Sequence, residues 1–145
     1  MTDPRYAALI PFFEEQIPFN RLLGMKVAAL APGAATLRVA HHPTLIGDPF
    51  RPALHGGVLS ALADAAGGLA VFTAVGADDK VSTLDMRVDY LRPARTDQDL
   101  RAAASLLRMG NRVAVVEVRI VQDDDSAVIA RATAVYNVVR RTDTP

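Results

Sequence analysis

The sequence predicts an α+β fold in which an antiparallel sheet wraps around one long central helix. Its periodic segments run in the order amphipathic helix, two short strands, long apolar helix and four further strands. The last four segments alternate apolar and polar side chains, as strands with one buried face do. A chain of 145 residues can bury a core of its own, so we expect a single domain over 1–145.

The first third of the chain is predicted to form a helix and a hairpin. Apolar residues recur at helical spacing from Asp3 to about Ile17, with an aspartate-proline pair at the start as cap and first turn. Short strands over 24–30 and 35–41 follow, and an Ala-Pro-Gly sequence joins them as a turn. The segment 42–54 carries three prolines and a glycine, so we predict an irregular loop there.

The remaining elements are one helix and four strands. Residues 57–75 are rich in alanine and leucine and lack proline, which predicts one long buried helix. Its small residues, including Gly67 and Gly68, allow another element to approach closely. Strands are predicted over 81–91, 99–108, 112–122 and 127–139, with hairpin turns at Met109-Gly110-Asn111 and Asp123-Asp124-Asp125-Ser126.

The first of these strands has a clear alternation. Leu84, Met86, Val88 and Tyr90 are predicted to share the half-buried face, opposite Thr83, Asp85, Arg87 and Asp89.

Composition and charge argue against several classes of function. Sixteen basic and sixteen acidic residues balance, which favours neither nucleic acid nor an anionic membrane as partner. Without cysteine the chain has no thiolate nucleophile, and the adjacent His41 and His42 point to opposite faces of a strand, so no metal site is predicted. The N-terminus lacks the layout of a signal peptide and no apolar run reaches membrane-spanning length, so we expect a cytoplasmic protein.

The most informative segment is 54–70, where a single carboxylate, Asp64, stands in an otherwise uncharged run. No other acidic residue occurs between Asp48 and Asp78. Ionised carboxylates are rarely buried among apolar groups unless something pairs with them or uses them. Asp64 therefore either bonds neighbouring backbone and hydroxyl groups or has a chemical role.

Gly56 and Gly57 stand where this helix begins. Their N–H groups have no intrahelical partner, lie at the positive end of the helix dipole, and are not screened by a side chain. Such groups are suitable donors for a developing oxyanion. A sharp loop-to-helix turn is the alternative interpretation of the two glycines.

Three motifs resemble those of the PaaI-type (phenylacetate-degradation type) hot-dog thioesterases, in that family's order. They are Pro18-Phe19-Asn20…Leu23-Gly24-Met25, Leu54-His55-Gly56-Gly57-Val58…Leu62-Ala63-Asp64, and Thr83-Leu84-Asp85-Met86…Asp89-Tyr90-Leu91-Arg92-Pro93-Ala94. The resemblance implies a hot-dog fold and hydrolysis of an acyl- or aryl-acyl-coenzyme A thioester to the free acid and coenzyme A. It implies no metal and no separate cofactor.

The resemblance also implies roles for the reacting groups. Asp64 is the general base or the nucleophile, and the Gly57 N–H polarises the thioester carbonyl. Thr83 positions the attacking water, because it keeps the family's spacing to Asp85-Met86, and Ser82 is the alternative.

Three further residues are predicted to contact the substrate. His55 and Gly56 lie at the start of the motif helix, where the histidine has a structural or substrate-orienting role. Arg92 belongs to the matched Arg-Pro-Ala sequence and has the guanidinium geometry that suits coenzyme A phosphates. A solvated charge at the end of a strand explains Arg92 equally well.

The spacing between Gly57 and Asp64 predicts a shared site. Seven residues of helix separate two groups by about 10 Å, too far for both to reach one thioester carbonyl. We therefore expect a homodimer, or a dimer of dimers, in which Gly57 of one protomer faces Asp64 of the other. The resemblance implies the same arrangement.

One position departs from the family's pattern. Many relatives carry asparagine six residues before the motif histidine, whereas this chain has Pro49 there, beside Asp48. Neither Asp48 nor Asn20 is assigned that role from the sequence. The alternative functions are a hot-dog enoyl-CoA hydratase or dehydratase, and a non-catalytic acyl-CoA binding or sensing module.

Overall fold

In the computed structural model, residues 3–122 and 125–143 are described, and they form a six-stranded antiparallel sheet that curves around one long helix. The sheet order is β1-β2-β6-β7-β8-β5, so the last strands of the chain occupy its centre. The predicted order of elements is confirmed. None of the helices in these ranges is long and apolar enough to span a bilayer.

The elements have the following bounds. The helices are α1 (Pro4–Ala7), α2 (Leu9–Pro11), α3 (Pro18–Leu22) and α4 (Gly56–Phe72). The strands are β1 (Met25–Ala31), β2 (Ala34–Val39), β3 (Ile46–Asp48), β4 (Ala53–Leu54), β5 (Lys80–Tyr90), β6 (Leu100–Met109), β7 (Val113–Gln122) and β8 (Asp125–Val139). Part of the predicted turn at 123–126 lies outside the described residues.

The N-terminal helix is broken, which differs from the prediction of one helix to about Ile17. Asp3 caps its start by accepting a hydrogen bond from the Arg5 N–H, as predicted. Pro11 and Pro18 lack the N–H that a continuous helix needs. A π-helical turn, Phe12–Gln16, therefore lies between α2 and α3.

The loop over 42–54 contains more structure than predicted. A 3₁₀ turn, Pro43–Leu45, leads into β3, which pairs with β4 as a small second sheet. Two backbone bonds then fix the start of α4: the Leu54 N–H donates to the Ala94 carbonyl at 3.0 Å, and the His55 N–H donates to the Leu45 carbonyl at 2.7 Å.

The predicted alternation of β5 is wrong at Leu84. Thr83 pairs with Tyr136 and Asp85 with Val135, so Leu84 is an extra residue in a β-bulge. The bulge changes the phase of the strand, because side chains alternate with a period of two. Thr83 consequently faces the helix, while Leu84 is 59% exposed.

Helix α4 packs tightly against the sheet, as predicted. Its leucines and most of its alanines are buried against the inner faces of β2, β6 and β7. Gly67 is required by the packing, since a Cβ atom there would lie 3.0 Å from Cζ of Tyr136 and would clash with its hydroxyl. The absence of a side chain at residue 67 makes room for the tyrosine.

Candidate active site

Asp64 lies on α4 with its carboxylate against the sheet. The Thr83 hydroxyl, on β5, donates to Asp64 Oδ1 at 2.7 Å. The Tyr136 hydroxyl, on β8, donates to the main-chain carbonyl of Asp64 at 2.8 Å and lies 3.3 Å from its Oδ1. One carboxylate oxygen is thus held by two strands.

Tyr136 is a site residue that the sequence did not reveal. Only 1% of the tyrosine is exposed, and burial, followed by the neighbouring Asp64 charge, raises the pKa of its phenol above the ordinary value. The hydroxyl therefore stays protonated and remains a donor. The sequence does place a polar aromatic residue on the buried face of a predicted strand. It does not show that this residue contacts Asp64, which lies 72 residues away.

The Asp64 carboxylate faces a cleft of about 230 Å³. The walls come from α4, β5 and the N-terminal turns, including Phe13 and Asn20. Asn20 is buried, and its side-chain amide donates to the Phe13 carbonyl at 3.1 Å, which holds the π-helical turn over the cleft. Of the two hydroxyl candidates, Thr83 contacts Asp64, whereas Ser82 lines the cleft on the outward-facing phase of β5.

The other end of the motif is at the start of α4. His55 is the N-cap residue, and the Gly57 N–H donates to its Nδ1 at 2.8 Å. Since Nδ1 accepts here, the imidazole proton is on Nε2. The predicted oxyanion donor therefore has an intramolecular partner, a side chain that is itself exposed.

Gly56 is covered by an aromatic ring. The Tyr90 hydroxyl donates to the Gly56 carbonyl at 3.3 Å and also bonds the Ser60 hydroxyl. A Cβ atom at Gly56 would lie 3.3 Å from the Tyr90 ring. Tyr90 is half exposed, so this end of the helix opens towards solvent.

Other predicted positions lie elsewhere. Arg92 is exposed and, with Arg119 and Arg131, lines a depression on the outer face of the sheet, away from the Asp64 cleft. The Asp48 carboxylate accepts from the Phe50 and Arg51 N–H groups and stabilises the turn between β3 and β4. Asp48 does not occupy the cleft.

The two adjacent histidines have separate partners. Nδ1 of His41 lies 2.6 Å from Oδ1 of Asp99, which also pairs with Arg38. The pKa of Asp99 is held below its usual value, chiefly by the hydrogen bond that its carboxylate accepts from the backbone N–H of His41, although burial raises the pKa. His42 accepts from the Thr44 N–H instead. Within the described ranges, no group of three or more histidine and carboxylate side chains could hold a metal ion.

Comparisons with known proteins agree with this architecture. The thioesterase superfamily's sequence profile matches residues 52–129, which include α4 and most of the sheet. The medium/long-chain acyl-CoA thioesterase YigI of Salmonella typhimurium is 36% identical over 139 residues, covering 87% of this chain and 88% of that protein.

Solved structures give the same result. The phenylacetic acid degradation protein PaaI of Thermus thermophilus superposes with a TM-score of 0.73 at 32% identity, covering 83% of this chain and 97% of that one. The Escherichia coli PaaI protein, at 19% identity and a TM-score of 0.82 over 93% of each chain, shows the fold alone. The predicted hot-dog fold and PaaI-like relationship are confirmed: the chain belongs to the thioesterase superfamily.

Proposed function

We propose that the protein hydrolyses acyl-coenzyme A thioesters to the free acid and coenzyme A, with Asp64 as the reacting carboxylate. The single observation that carries the proposal is the Asp64 carboxylate facing a cleft while Thr83 and Tyr136 hold it. Relatives named medium/long-chain acyl-CoA thioesterases support acyl chains of that class. The substrate is the only further molecule that the reaction needs besides water.

The residues suit base-assisted attack of water. The Asp64 carboxylate takes a proton from water, whose oxygen attacks the thioester carbonyl carbon while a backbone N–H stabilises the oxyanion. Collapse of the intermediate breaks the carbon–sulfur bond, and the proton passes to the departing coenzyme A sulfur. Thr83 orients the carboxylate and, through its own oxygen, accepts a hydrogen bond from the attacking water.

A nucleophilic Asp64 is the alternative course of the same reaction. It would form a mixed anhydride with the acyl group, which water then hydrolyses. A single turnover in ¹⁸O-labelled water separates the two courses. Label in the released acid is expected for the base, whereas label in the Asp64 side chain indicates the nucleophile.

The oxyanion donor in this proposal is the Gly57 N–H of a second protomer. Gly57 and Asp64 lie on one unbroken helix, about 10 Å apart along its axis. Strand β5 is at the edge of the sheet and exposes Leu84 and Tyr90, an apolar edge suited to pairing with a second copy. An isologous dimer through this edge would bring each Gly57 towards the partner's cleft.

For the oxyanion role, the His55 ring must turn away from the Gly57 N–H. The ring is exposed and its bond to Gly57 is a local N-cap contact, so a bound thioester can replace it without disturbing the core. His55 then remains beside the thioester as a substrate-orienting residue.

Subunit complementation tests the shared site. Asp64→Asn and Gly57→Pro variants, each inactive alone, are co-expressed so that mixed dimers form. If the two groups act across the interface, a mixed dimer contains one intact site, and activity returns to about a quarter of the wild-type level for random pairing. No recovery, with mixed dimers demonstrated by tag pull-down, would contradict the arrangement.

The function itself is tested on a panel of acyl-coenzyme A substrates by the release of free thiol. Hydrolysis of at least one aliphatic or aromatic acyl-CoA is expected. Stoichiometric binding without turnover would instead indicate a binding module, and hydration of an enoyl-CoA would indicate a hydratase.

A further inference from the structure

A second, larger cavity lies beside the Asp64 cleft. It occupies the space between the N-terminal helical turns, the end of α4 and the start of β5, with a volume of about 890 Å³. Its inner wall is apolar and includes Leu9, Phe72 and Val75. Exposed charged residues, such as Arg5 and Asp78, stand at its mouth.

The two spaces meet at an aromatic divide. Phe72 and Val81 line both of them, while Phe12 faces the larger cavity and Phe13 the cleft. The Phe72 ring meets Phe12 and Phe13 edge to face, with ring centres 6.1 Å and 5.7 Å away. A chain leaving the cleft therefore passes Phe72 to enter the larger cavity.

We propose that this cavity holds the distal part of a fatty acyl chain whose thioester reacts at Asp64, and that it sets the longest chain the enzyme accepts. The inference rests on the proposed function. The cleft, at about 230 Å³, is smaller than the roughly 300–1,000 Å³ of ordinary ligand sites, whereas the cavity beyond Phe72 falls within that range. Its apolar inner wall suits a methylene chain and not a polar group.

Tryptophan substitutions in the cavity wall test the inference. Ala8 and Ala77 line the cavity, contribute nothing to the cleft and are exposed, so Ala8→Trp and Ala77→Trp shorten the cavity without disturbing the core. Ala7 is exposed and lines neither space, so Ala7→Trp is the matched control.

For both cavity variants, kcat/KM with palmitoyl-CoA is expected to fall at least about tenfold. This is the loss expected when about two methylene groups no longer contact an apolar wall. The kcat/KM with butyryl-CoA should stay unchanged. Ala7→Trp should match the wild type with both substrates. An unchanged palmitoyl-to-butyryl ratio in both cavity variants would overturn the proposal.

A binding measurement separates this inference from the proposed function. The natural chain has no tryptophan, so Ala8→Trp introduces a single indole at the cavity wall. A long-chain fatty acid brominated at its methyl end should quench the fluorescence of Ala8→Trp and not that of Ala7→Trp. If the fatty acid quenches Ala8→Trp but no acyl-CoA is hydrolysed, the proposed function is wrong and the cavity assignment still stands. If quenching is equal in the two variants, or absent from both, the cavity assignment is wrong.

A separate observation concerns Tyr136. Its hydroxyl is the only contact in the cleft that joins both the main-chain carbonyl and the carboxylate of Asp64 among the described residues. The phenol reaches this position through the slot left by Gly67.

We infer that Tyr136 is a positioning residue, which fixes the direction of the Asp64 carboxylate towards the attacking water. The phenol donates to the main-chain carbonyl of Asp64 and lies against its Oδ1, so it restrains the rotation of the side chain. Without the phenol the carboxylate loses this restraint, so turnover should fall while substrate binding changes little.

The test compares Tyr136→Phe with Thr133→Val, which removes an exposed hydroxyl from the outer face of the same strand. Tyr136→Phe should lower kcat by about tenfold with little change in KM. Thr133→Val should change neither. A wild-type kcat in Tyr136→Phe, or a loss that lies in KM instead of kcat, would overturn the assignment.

A second variant displaces the Tyr136 phenol by a substitution on α4. Gly67→Ala places a methyl group where the Tyr136 hydroxyl lies. Its kcat should fall in the same way. Tyr136→Phe removes the closest of the clashing atoms, although Cζ would still lie 3.0 Å from the new Cβ, so the losses in the double variant should be less than additive. Additive losses in the double variant would contradict a common action through Tyr136.

Discussion

The two ends of the motif helix are built differently. At Asp64 the helix is buried, and two strands supply hydroxyl groups that hold the carboxylate. At Gly57 the helix is exposed, and its N–H is bonded by a side chain from its own cap. The carboxylate end is therefore held by contacts with two strands of the chain, whereas the donor end is held by one local contact of an exposed side chain.

In the proposed mechanism, the fold itself supplies the contacts of the carboxylate, whereas the bound thioester supplies the partner of the backbone N–H. The direction of the Asp64 carboxylate is fixed by hydroxyl groups on β5 and β8, two strands that pair with each other and lie far from α4 in the sequence. A backbone donor needs only an open helix start, because its direction is set by the helix itself. The following substitutions test this division, from the largest expected effect to the smallest.

Replacing the carboxylate should have the largest effect. Asp64→Asn keeps the shape and the hydrogen bonds of the side chain but removes its basicity, and we expect kcat to fall by about 10²–10⁴-fold. Thiol release from a preferred acyl-CoA measures this. Asp85→Asn, on the outer face of β5, is the matched control and should retain wild-type kcat; near-full activity of Asp64→Asn would refute the assigned chemistry.

Removing the backbone donor should come next. Gly57→Pro eliminates the N–H in the first turn of α4, where proline is tolerated, and kcat should fall by about 10²–10³-fold. Gly57→Ala keeps the N–H, and its Cβ would lie 2.8 Å from the His55 ring, which must shift. Gly57→Ala should lose less activity than Gly57→Pro, and equal losses would point to packing instead of the donor.

The hydroxyl on β5 should matter less. Thr83→Val preserves the β-branched shape but deletes the donor to Asp64, and we expect about a tenfold fall in kcat. Ser82→Ala, one residue earlier on the opposite phase of the strand, should have a smaller effect. A larger loss for Ser82→Ala would reverse the choice between the two hydroxyl groups.

The smallest effect should be on stability at the exposed end. His55→Ala removes the N-cap of α4, and the free energy of unfolding should fall by about 1 kcal/mol in urea denaturation. His55→Asn supplies another capping side chain and should recover most of that loss. Equal destabilisation in both variants would show that the ring, and not the cap, supports the helix start.

Much of the fold could be predicted because it depends on local patterns. The caps, turns and periodicity of α4, β6 and β7 are present in short stretches of sequence, and their bounds differ from the predicted ones by few residues. The broken N-terminal helix was also locally encoded, since Pro11 and Pro18 interrupt the hydrogen bonding there. The helical periodicity alone concealed that break.

The candidate site was predicted only in part, because its contacts join distant segments. Asp64, Gly57 and Thr83 were identified through motifs, and the structure places Thr83 on Asp64. Tyr136 was missed, since its partner is 72 residues away and a buried aromatic residue on a strand is ordinary core composition. Arg92 was also predicted from a motif to contact the substrate, but in the structure it lies on the outer face of the sheet, away from the Asp64 cleft.

The bulge at Leu84 decides which side chains of β5 face the motif helix. Deleting this one residue would leave the composition of the strand almost intact and restore regular pairing with β8. Regular pairing that kept Leu84 would instead rotate either the Thr83 segment or the Met86 segment to the opposite face, so the hydroxyl and the core packing could not be satisfied together. The chain can therefore exchange Leu84 for many side chains or lose the residue, but it cannot pair this residue regularly and still keep the Thr83 hydroxyl on Asp64.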